Sequence, residues 1–374
     1  MKTDKTIVFL SHFDGNLYLF RLPVMEALAR KGWRVIALCP AGEYSDRFAA
    51  HGIEQISYTV DRAGLNPLKE LKTLWAIRNL LKNIRPDILH TFTVKPNLYG
   101  TIAGRLAGVK TVVITVTGLG SFFIDRTPKA RLIRAVILAG YRLITPLASR
   151  VLFQNEDDRA LFVRKKIVPE NKTVLIGSSG IDTRLWQPAQ KPAGPVTVLF
   201  VGRLLVHKGV PELMIAAKNL KARHGENLRF ILVGDPDCGN PSSIDAATLQ
   251  NWKNERLADF PGWQTDPRPW YEGADIFVLP SHREGLPRTV LEAMAMGLPV
   301  VTTDAPGCRD TIENGVSGLL FPVGDAAALE NALETLIANE TLRRQMGEAA
   351  RARAARLFDV CAVVERYLQL YDRV

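Results

Sequence analysis

The chain has 374 residues and a mass of 41.4 kDa, about twice a typical single domain, so two domains are expected. Its composition, 47% hydrophobic and 23% charged, excludes a disordered chain, a collagen-like repeat and a coiled coil. The net charge of +10 is unevenly placed: residues 1–187 hold 28 Lys and Arg against 15 Asp and Glu, and the second half is slightly acidic. A basic half suits nucleic acid, an anionic membrane surface or anionic small molecules. Zinc-finger spacing, RNP-like aromatics and a basic arm are missing from the sequence, so nucleic acid is set aside.

In chain order, Thr6–Leu10, Arg34–Cys39, Asp87–His90, Thr111–Thr115, Arg150–Phe153 and Thr173–Ile176 are short apolar runs and predict strands. Ile7–Leu10 is too short for the apolar core of a secretory signal, and no apolar run approaches the roughly 18 residues of a spanning helix. Leu22–Lys31, Asn66–Ile84 and Pro96–Leu106 have helical periodicity between those strands. Three prolines and a glycine within 186–195 predict an interdomain linker. A second alternation follows: Val196–Val201, Pro211–Arg223, Arg229–Val233, Asp275–Leu279, Pro287–Met296, Pro299–Thr302 and a long helix over Ala326–Leu357. The expected fold class is α/β, with two doubly wound domains and a cleft between them. Ligands of such sheets lie beyond the carboxyl ends of the strands.

Two loops there carry chemistry. Arg283-Glu284-Gly285-Leu286-Pro287-Arg288 follows a strand and leads into a helix that holds Glu292. Pro287 suits a first helical turn, and the backbone N–H groups of Gly285 and Leu286 would face an anion at the positive helix end. Two carboxylates beside that end are poor phosphate ligands but good acceptors for sugar hydroxyls. Gly202-Arg203 and Lys208-Gly209 follow another strand, and a cation pair there could clamp a diphosphate. Solvated loop charges would give each pattern singly; their coincidence favours a site.

Other patterns are weaker. Thr117-Gly-Leu-Gly120 lacks the third glycine of a dinucleotide fingerprint. Asp235-Pro-Asp237 reads as a turn in preference to a metal-binding pair. The six histidines show no HExxH spacing, and GxSxG is absent. Cys39, Cys238, Cys308 and Cys361 lie far apart and read as free buried thiols of a reducing cytoplasm.

Glu284 and Glu292, with the Arg203/Lys208 pair, resemble the E-x7-E and phosphate-binding motifs of family 4 retaining glycosyltransferases of the GT-B fold. That resemblance covers nearly the whole chain. Ser178–Asp182 resembles the family's domain-crossing segment, and Phe358–Tyr371 its returning C-terminal helix. Phe20-Arg21-Leu-Pro23, Arg62–Pro67, Lys95-Pro-Asn97, Thr117–Phe122 and Tyr367–Asp372 are similar to bacterial enzymes that extend polyprenyl-diphosphate-linked glycans. Among these, the resemblance is to N-acetylgalactosaminyltransferases acting on undecaprenyl-diphosphate-linked diacetylbacillosamine.

The resemblance implies two Rossmann-like domains facing a central cleft: an acceptor domain over 1–185, a linker over 186–196, a donor domain over 197–357 and a returning helix over 358–374. It implies transfer from UDP-N-acetylhexosamine with retention, without a metal or other cofactor. Arg203, Lys208 and Glu284 would be catalytic. Gly15, Gly202, Trp263, Gly285, Leu286, Pro287, Arg288 and Glu292 would bind the donor, although Trp263 is equally suited to a core. Asn16, Lys95 and Thr117 would face the acceptor, Thr117 standing where many members carry a histidine. The acceptor's polyprenyl tail implies a cytoplasmic protein held peripherally at the inner face of an anionic membrane. Two basic, apolar stretches, 68–85 and 129–150, are candidates for that contact, and core burial is the commoner fate of such faces. A nucleotide-sugar epimerase and a non-catalytic anion-binding protein remain as alternatives.

Overall fold

The computed structural model describes residues 5–60, 67–125, 127–191 and 193–374, so Arg62–Asn66 of the motif quoted above lie outside it. The chain divides into two compact units, residues 1–179 with 361–374, and residues 180–360. Unit 1 begins β1 (Thr6–Leu10), α1 (Asp14–Arg30), β2 (Arg34–Leu38), β3 (Glu54–Ile56), α2 (Pro67–Ile84), β4 (Ile88–Phe92) and α3 (Val94–Leu106). It continues with β5 (Thr111–Val116), α4 (Pro128–Ile144), β6 (Arg150–Phe153), α5 (Glu156–Arg164) and β7 (Thr173–Leu175). Its strands pair in parallel in the order β3-β2-β1-β4-β5-β6-β7. Alternation along β1 divides the interior: Ile7 and Phe9 pack with α1, whereas Val8 and Leu10 pack with α2 and α3.

Unit 2 contains β8 (Val196–Val201), α6 (Val210–His224), β9 (Leu228–Val233), α7 (Ala246–Asn254), β10 (Asp259–Gly262) and α8 (Arg268–Glu272). There follow β11 (Ile276–Leu279), α9 (Arg288–Ala295), β12 (Val300–Thr303), β13 (Gly318–Phe321), α10 (Ala326–Ile337) and α11 (Glu340–Leu357). The sheet order is β10-β9-β8-β11-β12-β13, again all parallel. Both sheets therefore wind outward from their first strand, then reverse, which is the doubly wound Rossmann-like arrangement.

The last helix, α12 (Val360–Asp372), belongs to unit 1 from Cys361 onward. Val363, Tyr367, Leu370 and Tyr371 fill the α1 face of the first sheet. A buried polar network fastens it. His90 Nδ1 lies 2.5 Å from the Tyr371 hydroxyl, and Nε2 lies 2.6 Å from Thr115 Oγ1. Burial, with the Arg21 charge nearby, holds the imidazole well below its usual range, so it stays neutral. Arg21 is itself buried, its guanidinium 4.8 Å from the Phe92 ring centre.

Four expectations change. The units divide at Ser179–Gly180, inside the segment Ser178–Asp182 expected to cross between domains and ahead of the proline-rich stretch 186–196 expected as the linker. Trp186 packs edge-on to Tyr271 and Lys191 pairs with Asp275, which fastens that stretch to unit 2. The helix expected at Leu22 starts at Asp14 and runs through Pro23, and the long C-terminal helix breaks where Asn339 caps α11 by accepting from Leu342 N–H. Of the four thiols, Cys238 and Cys361 are exposed. Among the described residues no helix is long and apolar enough to cross a membrane.

Tyr371→Phe removes the partner of a buried imidazole nitrogen and is expected to cost about 1–2 kcal/mol. Urea unfolding measures this; an unchanged midpoint would show that the His90 contact adds no stability.

Candidate active site

The sheet of unit 2 reverses between β8 and β11, and its two informative loops leave from the carboxyl ends of those neighbours. Gly209 makes their approach possible. It has φ +73°, and a Cβ there would lie 2.1 Å from the Pro280 carbonyl oxygen. His282 N–H donates to the His207 carbonyl at 2.9 Å, and Ser281 Oγ lies 3.2 Å from the same oxygen. The closed loops bring Lys208 Nζ into an ion pair with Glu284 Oε1, both side chains being largely buried. Ser281 Oγ donates to that carboxylate oxygen at 2.7 Å. Beneath it lies the Cys308 thiol, pushed up to about 12 by burial and by the negative charge of Glu284. Gly307 supports the loop from behind, since a Cβ would stand 2.5 Å from the carbonyl oxygens of Glu284 and Gly285.

Gly285, Leu286 and Pro287 precede α9, whose first residue is Arg288, so Pro287 caps the helix and does not occupy its first turn. Glu292, one turn on, is buried. Its Oε1 accepts from Arg288 Nε at 3.1 Å and its Oε2 from the Tyr271 hydroxyl at 3.0 Å. Burial raises the Glu292 pKa despite the Arg288 charge beside it. The two glutamates of the motif thus have different settings: one is paired with a lysine from another loop, the other is sunk into α9 against a tyrosine.

Gly202 follows β8, and Arg203 reaches across to Asp237 at 2.5 Å while staying more than half exposed. Asp237 also accepts from Asn240 Nδ2 at 3.2 Å, and Asp235 accepts from the Trp263 N–H at 3.1 Å. The two carboxylates are thus held by Arg203 and Trp263 of other segments as well as by nearby Asn240. Trp263 is 71% exposed, which overturns its reading as a core aromatic.

The expected residues of unit 1 are more scattered. Gly15 lies in the first turn of α1, where the Phe13 ring takes the space of a Cβ at 2.5 Å. Asn16 Oδ1 is buried without a hydrogen-bond partner. Lys95 pairs with Glu70 at 2.8 Å. Thr117 follows β5 and is half-buried. Sequence reasoning missed Ser281 and Tyr271, and read Asp237 as a turn residue without its Arg203 partner, because a partner 3 to 34 residues away announces itself by no spacing rule.

Because the folded state raises the Glu292 pKa, the parent loses stability as pH rises from the ordinary glutamate range through that raised value. Glu292→Gln removes this loss. The Tm difference between variant and parent is expected to move in the variant's favour across that interval; a difference flat with pH would show an unshifted carboxyl.

Residues 183–353 match the family Glycosyl transferases group 1, and residues 7–154 match Glycosyl transferase 4-like. The chain is 35% identical to the N,N'-diacetylbacillosaminyl-diphospho-undecaprenol alpha-1,3-N-acetylgalactosaminyltransferase of Campylobacter jejuni, over 98% of each chain. It is 28% identical to the UDP-Gal:alpha-D-GlcNAc-diphosphoundecaprenol alpha-1,3-galactosyltransferase of Escherichia coli, over 81% of this chain and 80% of that one. The solved structure of HepE from Anabaena, in complex with UDP, superposes with a TM-score of 0.80 at 20% identity over 100% of both chains. A transferase family over each unit, and a relative matched almost end to end, establish that the chain belongs to the glycosyltransferases of GT-B fold.

Proposed function

We propose that the enzyme moves an N-acetylhexosamine, N-acetylgalactosamine first among them, from a UDP-sugar to a saccharide carried on polyprenyl diphosphate. The observation that carries this reading is the 35% identity, over 98% of both chains, to a transferase named for that sugar and that class of acceptor. The Escherichia coli relative, named for a UDP-sugar donor and a diphosphoundecaprenol acceptor, supports the same pairing.

In this reading unit 2 holds the donor. Lys208 and Arg203 offset the charge that develops on the departing diphosphate, and the Gly285–Arg288 backbone at the start of α9 adds its dipole. Glu284 holds donor sugar hydroxyls and keeps Lys208 in the loop until diphosphate competes for it. Glu292, steadied by Arg288 and Tyr271, holds the ribose, with Gly202 and Trp263 beside the nucleotide. In unit 1, Gly15 serves the donor, and Asn16, Lys95 and Thr117 the acceptor. No nucleophile is assigned, so retention follows from front-face attack, with the leaving phosphate taking the acceptor's proton. The two cations supply the charge that a metal would otherwise bring.

A peripheral place on an anionic membrane completes the reading. On α4, Leu132, Val136 and Leu143 are each about two-thirds exposed, so this face is not core. Lys129, Arg131 and Arg142 are exposed beside them. On α2, Leu68, Leu71 and Trp75 are exposed in the same way. Arg134 serves the fold instead, donating to the Phe122 and Asp125 carbonyls at 3.0 and 2.7 Å. An apolar strip flanked by cations is what interfacial helices present to lipid headgroups.

Assayed against a panel of UDP-sugars with undecaprenyl-diphosphate-linked diacetylbacillosamine, UDP release is expected to be fastest with UDP-N-acetylgalactosamine. Lys208→Ala is expected to lower kcat about 10²-fold. Release of UDP with no sugar joined to the acceptor, or a Lys208→Ala variant of parental rate, would overturn the reading. Replacing Lys129 and Arg131 by Glu is expected to weaken binding to anionic vesicles by at least ~1 kcal/mol per site, with activity on a soluble short-chain acceptor kept. Unchanged vesicle partitioning would remove α4 from the membrane contact.

A further inference from the structure

The first sheet has its own reversal, between β1 and β4, and a pair of residues meets there that the mechanism above does not use. His12 stands two residues beyond β1, and Thr93 is the first residue beyond β4. They are 81 residues apart, and His12 Nδ1 lies 2.7 Å from Thr93 Oγ1. Their place in unit 1 corresponds to that of Lys208 and Glu284 in unit 2, after the first strand and after the strand on the far side of the reversal.

Thr93 gives up two local preferences to make this contact. Its backbone sits at φ +71°, ψ 164°, a region that is essentially reserved for glycine and is an outlier for a β-branched residue. It also occupies the cap position of α3, where a threonine hydroxyl ordinarily accepts from an N–H of the first turn. Here that side chain makes no cap bond, and its hydroxyl meets the imidazole instead. Two further oddities lie near His12 in the chain, one before it and one in the first turn of α1. Ser11 Oγ and Asn16 Oδ1, on either side of His12 in the chain, are buried without a hydrogen-bond partner. Buried polar atoms in native proteins are nearly always satisfied. A strained threonine, a histidine aimed by it and two unsatisfied oxygens, all at a sheet reversal, are the features of a polar ligand site and are costly as mere scaffold.

We infer that His12 hydrogen-bonds the reacting hydroxyl of the acceptor sugar and that Thr93 is the positioning residue that fixes its ring. This rests on the transferase reading given above. The assignment differs from the histidine that other members carry at the position of Thr117, because it places the imidazole on the loop after the first strand.

The test uses the full chain, UDP-N-acetylgalactosamine and undecaprenyl-diphosphate-linked diacetylbacillosamine. Thr93→Gly removes the hydroxyl but also relieves the backbone, so the variant is expected to melt at a higher temperature while its acceptor kcat/KM falls about 10-fold or more. Thr93→Ser is expected to keep near-parental transfer. His12→Ala is expected to lose about 10²-fold in acceptor kcat/KM, with the donor KM and the slow acceptor-free release of UDP unchanged. Parental transfer by Thr93→Gly, or a matching fall in acceptor-free UDP release by His12→Ala, would overturn the inference. If the parent protein transfers no sugar from any UDP donor, the transferase reading fails and this inference falls with it. Transfer by the parent that the variants leave intact removes the inference alone.

Discussion

The contact between Lys208 and Glu284 depends on a topological fact: β8 and β11 are neighbours only because the sheet reverses there. A parallel strand must be left by a crossover, and elsewhere in the sheet each crossover covers the end of the strand beside it. At the reversal the two crossovers depart on opposite faces, so the strand ends stay uncovered and their loops can meet. The pair then needs very short distances between backbones, which Gly209 and Gly307 supply by lacking a Cβ. A largely buried charge is costly alone, and each member here offsets the charge of the other. Charged groups are thereby kept ready at a place where water is already scarce.

Unit 1 uses the same geometry with a different material. Its interior holds a cluster of polar side chains: Arg21, His90, Thr91, Asn97 and Thr115 are all buried. Asn97 Nδ2 donates to the Thr115 carbonyl and lies 3.0 Å from the Tyr141 hydroxyl, while Thr91 Oγ1 donates to Asn97 Oδ1 at 2.8 Å. These bonds join β4, β5, α3 and α4, and the His90 bonds carry the connection on to α12. Such networks are directional, so they fix the rotation of each helix against the sheet more sharply than apolar packing does. The motifs Phe20–Pro23, Lys95–Asn97 and Tyr367–Asp372 look unrelated in sequence, yet each contributes a member to this interior.

Much of the fold was legible because buried parallel strands are apolar throughout, and ten of the runs, from Thr6–Leu10 to Pro299–Thr302, stand out from their surroundings. The three strands that escaped, Glu54–Ile56, Asp259–Gly262 and Gly318–Phe321, are all sheet edges. They are short, partly exposed and polar or glycine-containing, so they carry no such run. The misplaced linker has a similar cause: prolines mark a break in regular structure, and Trp186 and Lys191 of that stretch are fastened to unit 2. The division lies at Gly180, with φ +84° and no room for a Cβ against the Val360 backbone; the family resemblance marked it through Ser178–Asp182, whereas composition alone offers only a single glycine there. In the site, Lys208, Glu284 and Glu292 were legible through their spacing from strand ends. The Tyr271 partner of Glu292 and the His12–Thr93 contact were not, because they are products of packing.

The return of the chain to unit 1 after residue 360 also orders events in biosynthesis. A ribosome delivers that unit as far as residue 179, then the whole of the second, and only afterwards the helix that covers Phe9, Val24 and Met25. Until then one face of the first sheet has no lid, and Arg21 and His90 stand in it without their tyrosine partners. The second unit, whose residues are continuous, can close on itself during that interval. The first therefore keeps one face of its sheet uncovered for as long as it takes to synthesise 181 more residues, the kind of exposed apolar surface that makes folding intermediates prone to association.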